Sequence, residues 1–501
     1  MPLSQKQIRI ILLISLISVS IFFRFWKIRE YVTFLGDEGR DMIVLRNIFF
    51  EKHLPFLGPS ASVGGFYLGP IYYWMAAPFL FLTKFDPIGP SYMVAIFGVA
   101  TVILLFKFLN ETIGFWPSFL VSLLYATAPL IVRYSRSSWN PNPLPFFSLL
   151  LIYFVYLGIK SKKIRYFIGA GAALGVAVQL HYLALVLAPL ALIIIIFNEK
   201  IKKVPLIAVT AVLGFLIAFS PFLFFEIRHN FPNFHTILEF VTRGSTVGYQ
   251  GPGLIWKLFD GGNILLEFIS GMKSTVYTRI MFLVLTVGSI AALAATWKDK
   301  QKKLIYSIGF SYLIVGILLL RSYKGEVYDY YYGVIFPAPF FLAGILTEKA
   351  FKNKYSKLVV CLLAALILII FLKNSFFFEK PNNLIKQTED ISNFIIEKSG
   401  GNPFNFALIS KSNSDQAYRY FLEIKNHKPI QLEEKITDQL LVLCESSSCA
   451  PLGNPLWEIA GFGRGEIVGE WDLPKYGFKV FRLAHWSGEP SPAGKPAIKG
   501  I

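Results

Sequence analysis

The stretch PLIAVTAVLGFLIAFSPFLFF, residues 205–225, runs for 21 residues without one charged side chain. As a helix it would reach about 32 Å, matching a bilayer hydrocarbon core of about 30 Å. It is bounded by NEKIKK (198–203) at one end and EIRH (226–229) at the other. Runs of the same kind fall near 8–23, 91–109, 115–132, 144–159, 166–180, 183–197, 279–297, 304–320, 331–347 and 357–372. With 205–225 they predict eleven membrane spans in an all-α polytopic membrane protein. The composition agrees: 54% hydrophobic, 16% charged and 48 Phe in 501 residues, with a mean hydropathy of +0.54. A soluble chain carries roughly 25% charged residues, so a soluble enzyme and a disordered tail protein are excluded. Three Cys are too few for a disulfide framework.

Charge orients the spans. The links KSKKIR (160–165), NEKIKK (198–203), WKDKQKK (297–303) and TEKAFKNKYSK (347–357) are rich in Lys and Arg and are expected on the cytoplasmic side. The net charge of +18 therefore records topology rather than a nucleic-acid partner. Strict alternation puts Lys6 and Arg9 on the cytoplasmic side only if YLGPIYYWMAAPFLFLT (67–83) does not cross. That segment is read as a juxtamembrane or re-entrant helix, broken by Pro78. Arg24, Lys27 and Arg29 dissent locally and are outvoted. The first apolar run is read as an anchor rather than a cleaved signal.

The expected layout is a membrane domain over 1–372, with an outer loop at 24–90, and an extracytoplasmic domain over 373–501. The latter alternates strand-like runs (404–410, 439–445, 478–484) with a helix-like run at 414–426, a small α/β module. Its last stretch, 487–500, is expected to be disordered. The protein is expected in the cell membrane, with a cytoplasmic N-terminus.

The middles of the spans are nearly free of charge, so no relay for ions or protons crosses the bilayer. Charges gather at the outer surface. The sharpest cluster is LGDEGRDMIVLRNIFFEKH (35–53), read as an interfacial amphipathic helix with its N-cap at Gly36-Asp37. Asp37, Arg40 and Asp41 share one face, Glu38 points about 100° away, and Gly39 admits a close neighbour. In IVRYSRSSWNPNPLPFF (131–147), Arg133 and Arg136 with Asn140 and Asn142 could bind a phosphate and orient a sugar. Snorkelling and the helix dipole explain the same arginines without a ligand. Gln179, His181 and Tyr182, then Glu226, Arg228 and His229, then Arg321, Tyr323, Lys324 and Tyr328–Tyr332 form further outer groups. Each also has a plain reading as packing, an interfacial turn or an aromatic belt. Cys444 and Cys449 could pair outside the cytoplasm.

These features together resemble the GT-C glycosyltransferases: an N-terminal span, an outer Asp37-Glu38 pair opening a helix, a Gly-Pro-started helix, and an outer Arg/Pro loop after the third span. The resemblance covers about residues 1–230 and is nearest the protein O-mannosyltransferases and aminoarabinose (lipid A) transferases. It implies transfer of a sugar from a polyprenyl-phosphate donor to a protein, lipid or polysaccharide acceptor. Asp37 matches the family's catalytic carboxylate, with Glu38 as its neighbour. Many relatives carry an Asp in the second outer loop, where this chain has Asn140-Pro141-Asn142. A divalent metal at Asp37 and Glu38 stays open, and that departure stands against it.

The chemistry fits the residues independently. A polyprenyl phosphate leaves without a general acid if guanidinium groups hold its charge, and the acceptor needs a carboxylate base. Asp37 is expected as base, with Arg40, Asp41, Arg133, Arg136, Asn140, Asn142, His181, Tyr182, Arg228, His229 and Arg321 as binding residues. The competing readings are a transporter or flippase and a glycan polymerase or ligase.

Overall fold

A computed structural model describes residues 4–61, 64–243, 253–273, 275–323, 327–446 and 448–488. Lys324 and all of the 487–500 tail beyond Gly488 lie outside them. The chain divides into two compact units. One comprises residues 1–28, 54–79 and 88–380, and the other residues 29–53, 80–87 and 381–501.

The first unit is built of apolar helices. Among the described residues seven are long and apolar enough to cross a membrane: Gln5–Phe25, Gly89–Ile113, Leu144–Ser161, Ile201–Arg228, Val276–Ala295, Lys300–Leu320 and Lys354–Phe378. An eighth crossing forms if Asp329–Ile335 and Ala338–Lys352, bent by 46°, count as one span. The bend falls at Pro337, which cannot continue the hydrogen-bond ladder. The remaining three expected spans are also helical but shorter. The 115–132 run breaks before Pro129 into Phe115–Thr127 and Pro129–Tyr134, since the residue before a proline avoids helical geometry. The other two are Arg165–Leu180 and Tyr182–Asn198. The 67–83 segment contains helix Ile71–Leu82, about 18 Å long and too short for a straight crossing.

Small residues set the tightest helix packing. A Cβ at Gly171 would overlap the Ala211 carbonyl, and one at Gly214 would overlap that of Ile168. Helices Arg165–Leu180 and Val204–Arg228 thus meet backbone to backbone, as in many membrane bundles.

The second unit is an α/β module. Strands β1 (Asn405–Ile409), β2 (Gln439–Cys444), β3 (Gly465–Leu473) and β4 (Phe478–His485) form one sheet of order β1-β2-β4-β3. The β1–β2 pair is parallel and the others antiparallel. Helix Gln416–Ile424 lies in the crossover from β1 to β2. Every residue of β2 is buried, as expected for a central strand covered on both faces. Phe406, Leu408, Leu441, Leu443 and Val480 pack with Ile391, Ile395, Tyr418 and Leu422 on one face. Ala407, Leu440, Val442 and Phe481 pack with Ile459 and Phe462 on the other.

The N-terminal segment 29–53 is built into this module. Arg29 pairs with Asp86 at 2.6 Å, and Asn383 donates its N–H to the Glu30 carbonyl at 2.9 Å. Tyr420 donates to the Phe85 carbonyl at 2.6 Å. Part of the outer loop at 24–90 is therefore one body with the C-terminal residues.

Candidate functional site

Helix Gly36–Phe50 follows Leu35, whose backbone is extended and whose side chain has no oxygen to cap the first turn. Two other side chains supply caps. The Glu38 carboxylate reaches back and accepts the Leu35 N–H at 3.0 Å. Asn413 Oδ1 accepts the Gly36 N–H at 3.0 Å from 377 residues away. The expected N-cap at Gly36-Asp37 is thus corrected to Leu35, because the capping oxygens come from inside the helix and from a distant loop.

The two adjacent acids have opposite surroundings. Glu38 is buried, and that burial pushes its carboxyl up to about 7, the charges of Asp41 and Asp37 adding to the effect. The Asp37 side chain is 62% exposed and accepts from Arg40 Nη1 at 2.9 Å. The same guanidinium donates to the fully buried Asp41 carboxylate, through Nε at 3.1 Å and Nη2 at 3.0 Å. Arg40 therefore ties an exposed carboxylate to a buried one on the face that the i, i+3, i+4 spacing predicts.

The opposite side of the helix is covered by protein. A Cβ at Gly36 would overlap Ser414, and one at Gly39 would overlap the backbone of Ala417. Met42 and Leu45 are fully buried, and Phe34 meets Phe421 edge-on at 5.7 Å. The sequence suggests an apolar face laid on lipid. The structure instead packs it on helix Gln416–Ile424, which the two glycines admit.

The other predicted residues belong to the helical unit. Arg133 is exposed and paired with Glu379. Arg136 is buried, donating to the carbonyls of Phe23 at 2.7 Å and Trp26 at 2.8 Å, with its guanidinium 4.0 Å from the Phe376 ring centre. Asn140 donates to the Leu180 carbonyl at 2.7 Å and Asn142 to that of Ser137 at 2.8 Å. The His181 Nδ1 accepts the Leu183 N–H at 3.2 Å, while its ring lies 4.9 Å from that of Tyr331. Tyr182 donates to the Tyr67 carbonyl at 2.5 Å. Arg228 is exposed, and His229 stacks on Phe225 at 4.1 Å. Arg321 interacts with the Tyr332 hydroxyl. Within this unit Arg136, Asn140 and Asn142 each donate to backbone carbonyls.

Glu226 is buried and accepts from Asn233 Nδ2 at 2.7 Å and from the Phe234 N–H at 3.1 Å. Asn233 in turn accepts the Tyr67 N–H at 2.7 Å. Three residues that the sequence did not single out are Asn413, Tyr418 and Glu445, since nothing local links them to residue 36. Arg24 is a fourth. It is completely buried and donates to Ser20 and to the Ala126 carbonyl, and its signal was a charge inside an apolar run.

Among the described residues no three His, Cys, Asp or Glu side chains gather as ligands. Asp37 and Asp41 share Arg40, and Glu38 turns to the Leu35 N–H.

Residues 68–225 match the family model for dolichyl-phosphate-mannose-protein mannosyltransferases. The structure is similar to ArnT from Cupriavidus metallidurans bound to undecaprenyl phosphate, at a TM-score of 0.62 and 11% identity, covering 96% of this chain and 99% of that one. The chain has the GT-C fold. A second similar structure is the Archaeoglobus fulgidus oligosaccharyltransferase AglB, in complex with an inhibitory peptide and a dolichol-phosphate. It matches at a TM-score of 0.54 and 13% identity, covering 97% of this chain and 75% of that one. The apo form of the Archaeoglobus fulgidus oligosaccharyltransferase matches the GT-C chain at 0.56 and 13% identity, covering 87% and 66%. No curated protein matches by sequence.

Proposed function

We propose that this multi-pass membrane protein is a glycosyltransferase that moves a sugar from a polyprenyl-phosphate donor to an acceptor at the extracytoplasmic face of the cell membrane. The observation that carries the reading is Asp37, an exposed carboxylate at the start of a helix whose other acids are buried or capping, in a GT-C fold. The likeness to ArnT bound to undecaprenyl phosphate supports the donor class.

In the reaction, Asp37 takes the proton of the acceptor hydroxyl or amine as the acceptor attacks the anomeric carbon. The bond from that carbon to the phosphate oxygen breaks, and the polyprenyl phosphate departs with the electron pair. A single displacement inverts the anomeric centre, through a transition state with oxocarbenium character. Arg40 orients Asp37 through their 2.9 Å contact. The leaving phosphate needs guanidinium groups, and Arg133, Arg228 and Arg321 are assigned that role in the helical unit. Arg136 instead holds the carbonyls at the end of helix Gln5–Phe25.

The test is to incubate membranes with a panel of radiolabelled polyprenyl-phosphate sugars and to identify the labelled product. Transfer from one donor, lost in Asp37→Asn, is the expected result. Transfer that persists undiminished in Asp37→Asn would remove the base assignment, and no transfer from any donor would remove the function.

A further inference from the structure

We propose that Asn413 and Glu445 are positioning residues that hold Asp37 in register for the transfer; the proposal rests on the reading of Asp37 as the base. The residue before Asp37 is the anchor point, since the Gly36 N–H donates to Asn413 Oδ1 at 3.0 Å. Asn413 uses the other end of its amide as well, donating Nδ2 to Glu445 Oε1 at 2.8 Å. The Tyr418 hydroxyl donates to the same oxygen at 2.7 Å. An amide is suited to this place because it accepts and donates at once. Aspartate there would face Glu445 with like charge.

Glu445 is itself fixed. It follows Cys444, the last residue of β2, and its N–H donates to the Ile409 carbonyl at 3.0 Å, at the end of β1. Cys444 is disulfide-bonded to Cys449. The chain of contacts therefore runs from the edge of a parallel strand pair, through one carboxylate and one amide, to the backbone beside Asp37. Ser414 and Ala417 abut Gly36 and Gly39 and block movement of the helix in that direction. All of these residues lie within one compact unit. The Asp37 side chain is 62% exposed, and the helix start sets where its carboxylate stands. A displacement near 1 Å at a reacting group can lower a rate by about 10²-fold.

The test uses the full chain, purified in detergent, with a donor that the unaltered protein turns over. Asn413→Ala and Glu445→Ala are expected to lower kcat at least about ten-fold, with the donor KM within about two-fold. Glu445→Gln keeps the accepting oxygen and is expected to restore most of kcat. Hydrogen exchange at the amides of residues 36–39 should quicken in Asn413→Ala. A kcat per folded molecule that stays within about two-fold in both alanine variants overturns the proposal, as does a Glu445→Gln variant as impaired as Glu445→Ala. Asp37→Asn is measured alongside. Retained turnover there overturns the base assignment. Lost turnover there, with full turnover in Asn413→Ala, overturns only the positioning role.

Discussion

Asp37 and Glu38 are the same chemistry one residue apart, and the fold gives them different surroundings. Asp37 stands exposed beside Arg40, whereas Glu38 turns inward to the Leu35 N–H. Replacing Asp37 with Asn should lower turnover by about 10²–10⁴-fold, the usual contribution of a positioned base, with the protein still eluting as a folded species. For Glu38 the expectation concerns stability. Its carboxyl is raised from 4.5 to about 7 by burial. Across that window the unfolded chain has released a proton that the folded chain retains, so this group makes stability fall as pH rises. Above about 7 the folded state carries a buried charge, and the lost stability is not regained. Thermal unfolding in detergent should therefore show a smaller drop from about pH 5 to about pH 8 in Glu38→Gln than in the unaltered protein. An equal drop in both would show that Glu38 does not carry the effect. The acidic pair was legible in the sequence because its spacing with Arg40 and Asp41 is helical. Which acid is buried was not legible, because it depends on Asn413 and Ala417, some 377 residues away. Arg136 teaches the same lesson. Its outer position suggested a phosphate, but its acceptors are the carbonyls left open at the end of a helix 110 or more residues earlier.

At the scale of elements, apolar runs were readable where lipid alone decides the pattern. All eleven expected spans are helical, and the prolines at 129 and 337 mark the breaks in two of them. What a linear reading could not supply was the partner of helix Gly36–Phe50. The residues that reveal it are glycines, whose lack of a side chain matters only once the neighbour is known. Gly39→Ala would push a Cβ into the Ala417 backbone, and overpacking of this kind costs about 1–3 kcal/mol. The melting temperature should fall accordingly, with the loss concentrated in the 29–53 and 381–488 segments by hydrogen exchange. A variant as stable as the unaltered protein would mean that the two helices can part without penalty.

For the whole molecule, charge and hydropathy carry the sidedness. Helix Ile201–Arg228 has Lys202 and Lys203 near one end and Arg228 at the other. With the free thiol of Cys361 removed by Cys361→Ala, Lys202→Cys should react with an impermeant maleimide only after the membrane is opened. His229→Cys should react from outside intact cells. The reverse pattern would invert the orientation assigned from the lysine-rich loops.

The fold also imposes an order on synthesis. Helix Gly36–Phe50 leaves the ribosome 377 residues ahead of the asparagine that caps it. At about 5–20 residues per second, the interval is roughly 20–75 s. Throughout that time helix Gly36–Phe50, whose Met42 and Leu45 are buried in the finished protein, lacks helix Gln416–Ile424 as a neighbour. A chain interrupted before residue 413 would possess every membrane helix and still lack a seated Asp37. Seating of the proposed base is thereby deferred until this module has emerged.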